Sequence, residues 1–174
     1  MVQSGYKILL EWELLDKKGI RYLVMDVDGT LTDGKIYMGN DGEVMKAFNI
    51  KDGCGIHDIL IPAGITPIII TGRSSRIVEN RCGELGIKEI HQGVSNKIEK
   101  LLTITDNLSS VAYIGDDIND LSCMLSVKEA GGIIGCPKDA VKKVKELADF
   151  IANHNGGDGA VRDFIEHITE YNER

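Results

Sequence analysis

The stretch RYLVMDVDGTLTDG, residues 21–34, restricts the fold more than any other: an apolar run stops abruptly at two carboxylates, Asp26 and Asp28, and then breaks into glycine and threonine. Continuous apolar character, without polar alternation, is the pattern of a strand covered on both faces, as in the middle of a parallel sheet. Two acids at the end of such a strand lie at the rim of a core, where a negative charge is costly unless something positive stands nearby.

The rest of the chain supplies the sheet. KIYM and EVMKAF flank Gly39, Asn40, Asp41 and Gly42, which reads as a hairpin over residues 35–48. A helix follows within DGCGIHDILIPAGI, ended by Pro62 and Gly64. Strand and helix then alternate: TPIIIT, a helix over 74–85, KEIHQ, a helix over 95–103, SVAYIG and a helix over 117–125. GGIIGC, a Lys-rich helix near 138–147, a short ADFI strand and a last helix near 160–170 complete the series. That order specifies an α/β fold, a Rossmann-like parallel sheet with helices on both faces. Ile8, Leu9, Trp12 and Leu15 recur at helical spacing, so residues 5–17 read as an amphipathic helix ending at Gly19. The expected organisation is a helical extension over 1–19 and one domain over 20–174.

Composition removes several function classes. A formal net charge of −7 disfavours a nucleic-acid groove, which needs a basic face. Cys54, Cys82, Cys123 and Cys136 are scattered, without C-x-x-C pairs or histidines at zinc-finger spacing, so neither a zinc module nor a disulfide framework is indicated. No apolar run approaches the roughly 20 residues of a membrane span. Glu11, Glu13 and Asp16 interrupt the first apolar stretch in a way a secretory segment does not tolerate. A soluble, cytoplasmic protein is expected.

In an open parallel sheet, ligands bind beyond the carboxyl ends of the strands. Four clusters fall there: Asp26 and Asp28 after the first strand, Thr71 and Gly72 after PIII, Lys97 at a helix start, and Asp116 and Asp117 after VAYIG. Carboxylates converging on one site repel one another unless a cation lies among them. Oxygen ligands select a hard divalent ion, and Mg²⁺ is the usual partner of phosphate substrates.

DVDGT, ITGR, NK and GDDIND, in this order, resemble the four motifs of the haloacid dehalogenase superfamily of phosphotransferases, over about residues 20–165. The resemblance implies that Asp26 is a nucleophile forming an aspartyl-phosphate and that Asp28 is general acid and then general base. It further implies that Thr71 binds phosphoryl oxygens, that Lys97 neutralises charge on the phosphoryl group and Asp26, and that Asp116 holds the metal beside the Asp26 carboxylate and the Asp28 carbonyl. For Asp117 and Asp120 two roles stay open: holding Lys97 or a water of the metal's shell, or capping the following helix.

Only 43 residues separate Asp28 from Thr71, and 26 separate Thr71 from Lys97, which leaves no room for a cap domain. The hairpin over 35–48 is therefore expected to pack between subunits and close an otherwise open site. DVDGTLTDGKIYMGNDGEVMKAFNIKDGCGI, ITGRSSRIVENRCGELGI, HQGVSNK, YIGDDINDL and GGDGAVR look like the capless 3-deoxy-manno-octulosonate 8-phosphate phosphatases, a tetrameric family serving lipopolysaccharide synthesis. This resemblance implies a homotetramer acting on a small phosphorylated sugar acid. Asn49, Ile50, Lys51, Asp52 and Gly53 would form one wall, with Gly72 near the phosphoryl group and Arg73 and Arg81 facing the anionic sugar.

Lys51 stands where that family usually has Arg, so a bidentate carboxylate contact is expected to be lost. A sister group cleaving nine-carbon keto-sugar acid 9-phosphates, of the neuraminate type, is one alternative; Arg73, where that group has Glu, favours the eight-carbon acid. A non-catalytic module partnering an acylneuraminate cytidylyltransferase is the other, and the mutually repelling charges at positions 26, 28 and 116 speak against it. Asp28, a second acid that dehalogenases lack, excludes that chemistry; the same acid and the absence of a membrane segment disfavour a P-type ATPase, and the missing cap disfavours a phosphomutase. His57, His91, His154 and His167 share no spacing, Cys54 and Cys123 read as small apolar fillers, and Lys138, Lys142, Lys143 and Lys145 read as a solvated helix face.

Overall fold

The computed structural model describes residues 19–173; the helix expected at 5–17 lies outside them. In chain order the elements are β1 (Tyr22–Met25), β2 (Tyr37–Gly39), β3 (Gly42–Met45), α1 (Ile50–Cys54), β4 (Thr66–Ile70), α2 (Arg76–Leu85) and β5 (Glu89–His91). They continue with α3 (Lys97–Ile104), β6 (Val111–Ile114), α4 (Leu121–Glu129), β7 (Ile133–Cys136), α5 (Lys142–Leu147), β8 (Phe150–Ile151) and α6 (Ala160–Asn172).

Six strands form one parallel sheet in the order β5-β4-β1-β6-β7-β8, the Rossmann-like architecture read from the alternation. The chain runs outward from β1 through β4 to β5, then returns to the other side of β1 at β6. A switch point therefore opens between the carboxyl ends of β1 and β6, where Met25 lies opposite Ile114.

Side chains alternate across the sheet and feed two cores. Leu23, Met25, Ile69, Ala112 and Ile114 pack with Phe164, Ile165 and Ile168 of α6 and with Val78, Cys82 and Leu85 of α2. Val24, Ile68, Ile70, Tyr113 and Ile134 pack on the opposite face with Leu101 of α3, Met124 and Val127 of α4 and Val144 of α5. Each fully buried aliphatic side chain stabilises the fold by roughly 1.5–3 kcal/mol. A Cβ at Gly135 of β7 would stand 2.7 Å from the Phe164 ring, so glycine there lets α6 close on the sheet.

The helix expected within residues 52–64 begins earlier, at Ile50, because the Asn49 side chain caps it by accepting from Lys51 N at 2.8 Å. It widens into a π-helical stretch over Gly55–Leu60 before the turn at Pro62 and Gly64. β2 and β3 form a separate antiparallel pair with Gly39 opposite Gly42, the hairpin foreseen around GNDG. A bridge between Thr32 and Phe48 ties its base to the loop after β1. Only this hairpin and the helix begun by α1 separate β1 from β4, so no cap domain stands there.

Candidate active site at the β1/β6 switch point

The loop after β1 is wound tightly: the N–H groups of Thr30, Leu31 and Thr32 all donate to the Val27 carbonyl, at 3.2, 3.0 and 3.0 Å. Asp26 N donates to Ile114 O at 3.1 Å, which fixes the first acid to the end of β6. Gly29 has φ +94°, and a Cβ there would lie 2.1 Å from Asp116 Oδ2. The glycine of DVDGT is thus what allows the two acidic loops to meet. Thr30 Oγ1 donates to Asp116 Oδ1 at 3.1 Å. The GGDG segment backs this loop, since a Cβ on Gly156 would fall 1.9 Å from the Gly29 carbonyl oxygen, and Gly157 N donates to Thr30 O at 3.1 Å.

Lys97 enters from the other side. Asn96 caps α3 by accepting from Glu99 N at 3.3 Å, which makes Lys97 its first residue. Its ammonium, almost wholly buried, lies 2.8 Å from Asp26 Oδ1 and 2.7 Å from Asp120 Oδ1. Asp120 is fully buried and saturated: Oδ1 also accepts from Tyr113 OH at 2.7 Å, and Oδ2 accepts from Asp116 N at 3.1 Å and Asp117 N at 3.3 Å. Of the roles open to the pair, Asp120 holds Lys97, while Asp117 caps the next turn by accepting from Ile118 N at 2.7 Å.

Carboxylate oxygens of Asp26, Asp116 and Asp120 lie within 4.8 Å of one another. With the lone pairs of Asp120 committed, Asp26 and Asp116 are the two able to hold a cation. Burial, then the charges of Asp26 and Asp120, raise the Asp116 carboxyl to about 7. Burial and Asp120 raise Asp26 to about 6, against the opposing charge of Lys97. Burial opposes the charge on Lys97, yet Asp26 and Asp120 together raise its pKa. One lysine leaves this cluster short of positive charge, and the all-oxygen donor set fits a hard divalent ion such as Mg²⁺.

An open cleft of about 210 Å³ adjoins the cluster, lined by Asp26, Asp28, Thr71, Gly72, Arg73, Asp117 and Asn119. Thr71 is fixed there by its backbone, donating to His91 O and accepting from Val94 N, both at 3.0 Å. Arg73 Nε lies 3.8 Å from Asp28 Oδ2. The structure thus gathers Asp26, Asp28, Thr71, Gly72, Arg73, Lys97, Asp116, Asp117 and Asp120 around one rim.

The remaining expected substrate residues lie elsewhere in the single chain. Asn49, Asp52, Gly53 and Arg81 line a narrow second pocket with Phe48 and Leu85, which shares no residue with the cleft. Ile50 and Lys51 are exposed on α1. Asp52 is buried and accepts from Arg162 N at 2.8 Å, and burial raises its carboxyl to about 6. Arg81 lies over the Phe48 ring and against Gly53, where a Cβ would be 2.4 Å from its guanidinium.

Five neighbours of the site escaped sequence reasoning. Thr30 and Asn119 lie inside motifs already singled out, DVDGT and GDDIND, so proximity alone could have flagged them. Tyr113 reads from sequence only as a core strand residue. Lys46 and Glu43 come from the hairpin: Lys46 Nζ pairs with Asp28 Oδ1 and lies 3.0 Å from Glu43 Oε1, and nothing in the linear pattern marks either.

No family model matches the chain. It is 43% identical over 153 residues to the 3-deoxy-D-manno-octulosonate 8-phosphate phosphatase KdsC of Salmonella typhi, covering 86% of this chain and 79% of that protein. The crystal structure of 3-deoxy-D-manno-octulosonate 8-phosphate phosphatase from Moraxella catarrhalis, in complex with magnesium, phosphate and KDO, superposes with a TM-score of 0.81 at 39% identity, covering 88% of each chain. The cobalt-bound form of the Haemophilus influenzae deoxy-D-mannose-octulosonate 8-phosphate phosphatase (YrbI) matches at a TM-score of 0.80 and 32% identity, over 90% of this chain and 91% of that one. Sheet order, acidic rim and these likenesses agree: the chain belongs to the 3-deoxy-D-manno-octulosonate 8-phosphate phosphatase family of the haloacid dehalogenase superfamily.

Proposed function

We propose that this chain is a Mg²⁺-dependent phosphoric monoester hydrolase that cleaves 3-deoxy-D-manno-octulosonate 8-phosphate through an aspartyl-phosphate on Asp26. The observation that carries the reading is the pairing of Asp26 with Lys97 at 2.8 Å beside Asp116, at the switch point of the sheet. Relatives of that name at 43% identity favour the eight-carbon sugar acid over the nine-carbon alternative and over a non-catalytic module.

A carboxylate oxygen of Asp26 attacks phosphorus, and the sugar oxygen leaves with a proton supplied by Asp28. Asp28, now ionised, takes a proton from water as that water displaces the phosphoryl group from Asp26, which releases phosphate and restores both acids. Lys97 keeps Asp26 ionised and oriented, and Asp120 holds Lys97 by its saturated hydrogen bonding. The Thr71 hydroxyl and the Gly72 backbone bind phosphoryl oxygens, and Arg73 faces the acidic sugar. Asp26, Asp116 and the Asp28 carbonyl would hold Mg²⁺, which would supply the charge needed to bring a phosphate dianion up to a carboxylate.

The working unit is a cytoplasmic homotetramer in which the hairpin packs between subunits. Support comes from the hairpin, where Ile36, Met38, Val44 and Met45 are each at least half exposed. Asn49, Ile50, Lys51, Asp52, Gly53 and Arg81 then meet substrate across such an interface. Among the described residues, no helix is long and apolar enough to cross a membrane.

Phosphate release from a panel of eight-carbon and nine-carbon keto-sugar acid phosphates tests the reading. The eight-carbon ester is expected to have the highest kcat/KM, and excess EDTA to silence it. Preference for a nine-carbon ester, or activity in EDTA, overturns the substrate or the metal.

A further inference from the structure

Lys46, like Lys97, has a buried side chain, only 2% exposed against 43% for Arg73. It sits just beyond β3, two residues before the Phe48 bridge that pins the hairpin base to Thr32. Its ammonium pairs with Asp28 Oδ1 on one side and Glu43 Oε1 on the other. Neither Lys46 nor Glu43 lines the cleft, whereas Asp28 does. Lys46 therefore stands behind Asp28 and reaches substrate only through it.

Glu43 is itself anchored. It accepts from the Ser75 hydroxyl, and Arg73 Nη2 donates to its Oε1 at 3.4 Å. Burial works against its ionisation, but Ser75, Lys46 and Arg73 hold its carboxyl below the usual range. A lysine suspended between one fixed carboxylate and Asp28 constrains Asp28 Oδ1 and leaves Oδ2 on the side of Arg73 and the cleft.

We infer that Lys46, carried by the hairpin, is a positioning residue for Asp28: it fixes the carboxyl rotamer so that Oδ2 meets the leaving oxygen. The inference rests on the proposed role of Asp28 as proton donor. Glu43 is the strut that holds Lys46, so the flap contributes to proton transfer as well as to closing the site.

Leaving-group dependence provides the test. A sugar alkoxide needs a proton to depart, whereas p-nitrophenolate leaves without one, so a fault in proton donation slows formation of the aspartyl-phosphate only for the first, while its hydrolysis, which uses Asp28 as base, is common to both. In single-turnover measurements Lys46→Met is expected to slow aspartyl-phosphate formation from 3-deoxy-D-manno-octulosonate 8-phosphate by roughly 10- to 100-fold, with formation from p-nitrophenyl phosphate within about threefold. Lys46→Arg, which can still bridge both carboxylates, should recover much of the loss. If Lys46→Met does not fold, Lys46→Gln, which keeps one donor, is expected to show the same selective loss in smaller measure.

Equal losses on the two esters in that step, or no loss in it on the sugar phosphate, overturn the inference. Asp28→Asn, assayed beside them, separates two failures. If it discriminates between the esters and the Lys46 variants do not, Lys46 alone loses its role; if it does not discriminate, Asp28 is not the proton donor and the inference falls with it.

Discussion

The β1/β6 rim and the hairpin flap both supply charge to one cleft, but they hold it by opposite means. At the rim, Asp26, Asp116 and Asp120 are fixed by strand ends, by four hydrogen bonds to Asp120 alone, and by glycines that admit no side chain. In the flap, two short strands present mostly exposed side chains, and its hold on the site runs through Lys46, Glu43 and the bridge at Phe48. Groups that must not move are built on a packed sheet, while the groups proposed to adjust proton transfer and closure ride on an element with little core of its own.

Breaking the rim should abolish chemistry, and breaking the flap should only tune it. Asp26→Asn is expected to cost roughly 10⁴-fold or more in kcat with the fold intact, because an amide does not attack phosphorus. Steady-state phosphate release and a thermal melt check this, and residual turnover near wild type removes Asp26 from its role.

Asp120→Ala comes next and differs in kind. It leaves the buried ammonium of Lys97 with one carboxylate and Tyr113 OH without its acceptor, so stability should fall by about 3–5 kcal/mol, a drop in Tm of roughly ten degrees, along with activity. A variant that melts like wild type contradicts the hub role of Asp120.

Acidity at the rim gives a smaller, signed effect. Asp26 and Asp116 are raised from 3.8 to about 6 and about 7, so the metal-free fold retains protons that the unfolded chain has released. Their contribution to stability is therefore lost as pH rises from about 4 to about 7. A divalent ion competes with those protons, so saturating Mg²⁺ should raise Tm by several degrees at pH 7.5, consistent with about 2.7 kcal/mol at one hundred times Kd, and by much less at pH 5. Equal shifts at both pH values would count against ion binding at these carboxylates.

The least perturbing change is on the flap. Met38→Ser with Val44→Ser should alter the stability of the subunit by less than about 0.5 kcal/mol, because both side chains are exposed in the single chain. If the proposed tetramer forms through the hairpin, the double change should nonetheless shift the sedimenting species towards smaller forms. An unchanged tetramer would move the interface elsewhere.

The same contrast decides how much could be read from sequence. Strand β1, the alternation after it and the acids at its carboxyl end were legible, because parallel-sheet burial and strand-end chemistry leave contiguous marks in the chain. Asp26, Asp28, Thr71, Lys97 and Asp116 could be singled out for that reason, and the structure gathers them at one rim. The start of α1 at Ile50 was missed because the cap at Asn49 outweighs the apolar pattern, which begins later. Lys46 was missed because Asp28 lies 18 residues back, on the far side of the hairpin turn, and an exposed-looking strand gives no sign that one lysine folds inward. The second pocket around Asn49 and Arg81 was foreseen only as a list of residues, and in the single chain it shares no residue with the cleft.

Trapping the covalent intermediate addresses the chemistry most directly. Wild-type protein quenched during turnover with Mg²⁺ and reduced with borohydride should carry homoserine in place of aspartate at position 26, in the tryptic peptide beginning at Tyr22, and only when substrate and Mg²⁺ were both present. Reduction at another carboxylate, or none under conditions of rapid phosphate release, would contradict a nucleophile at the end of β1.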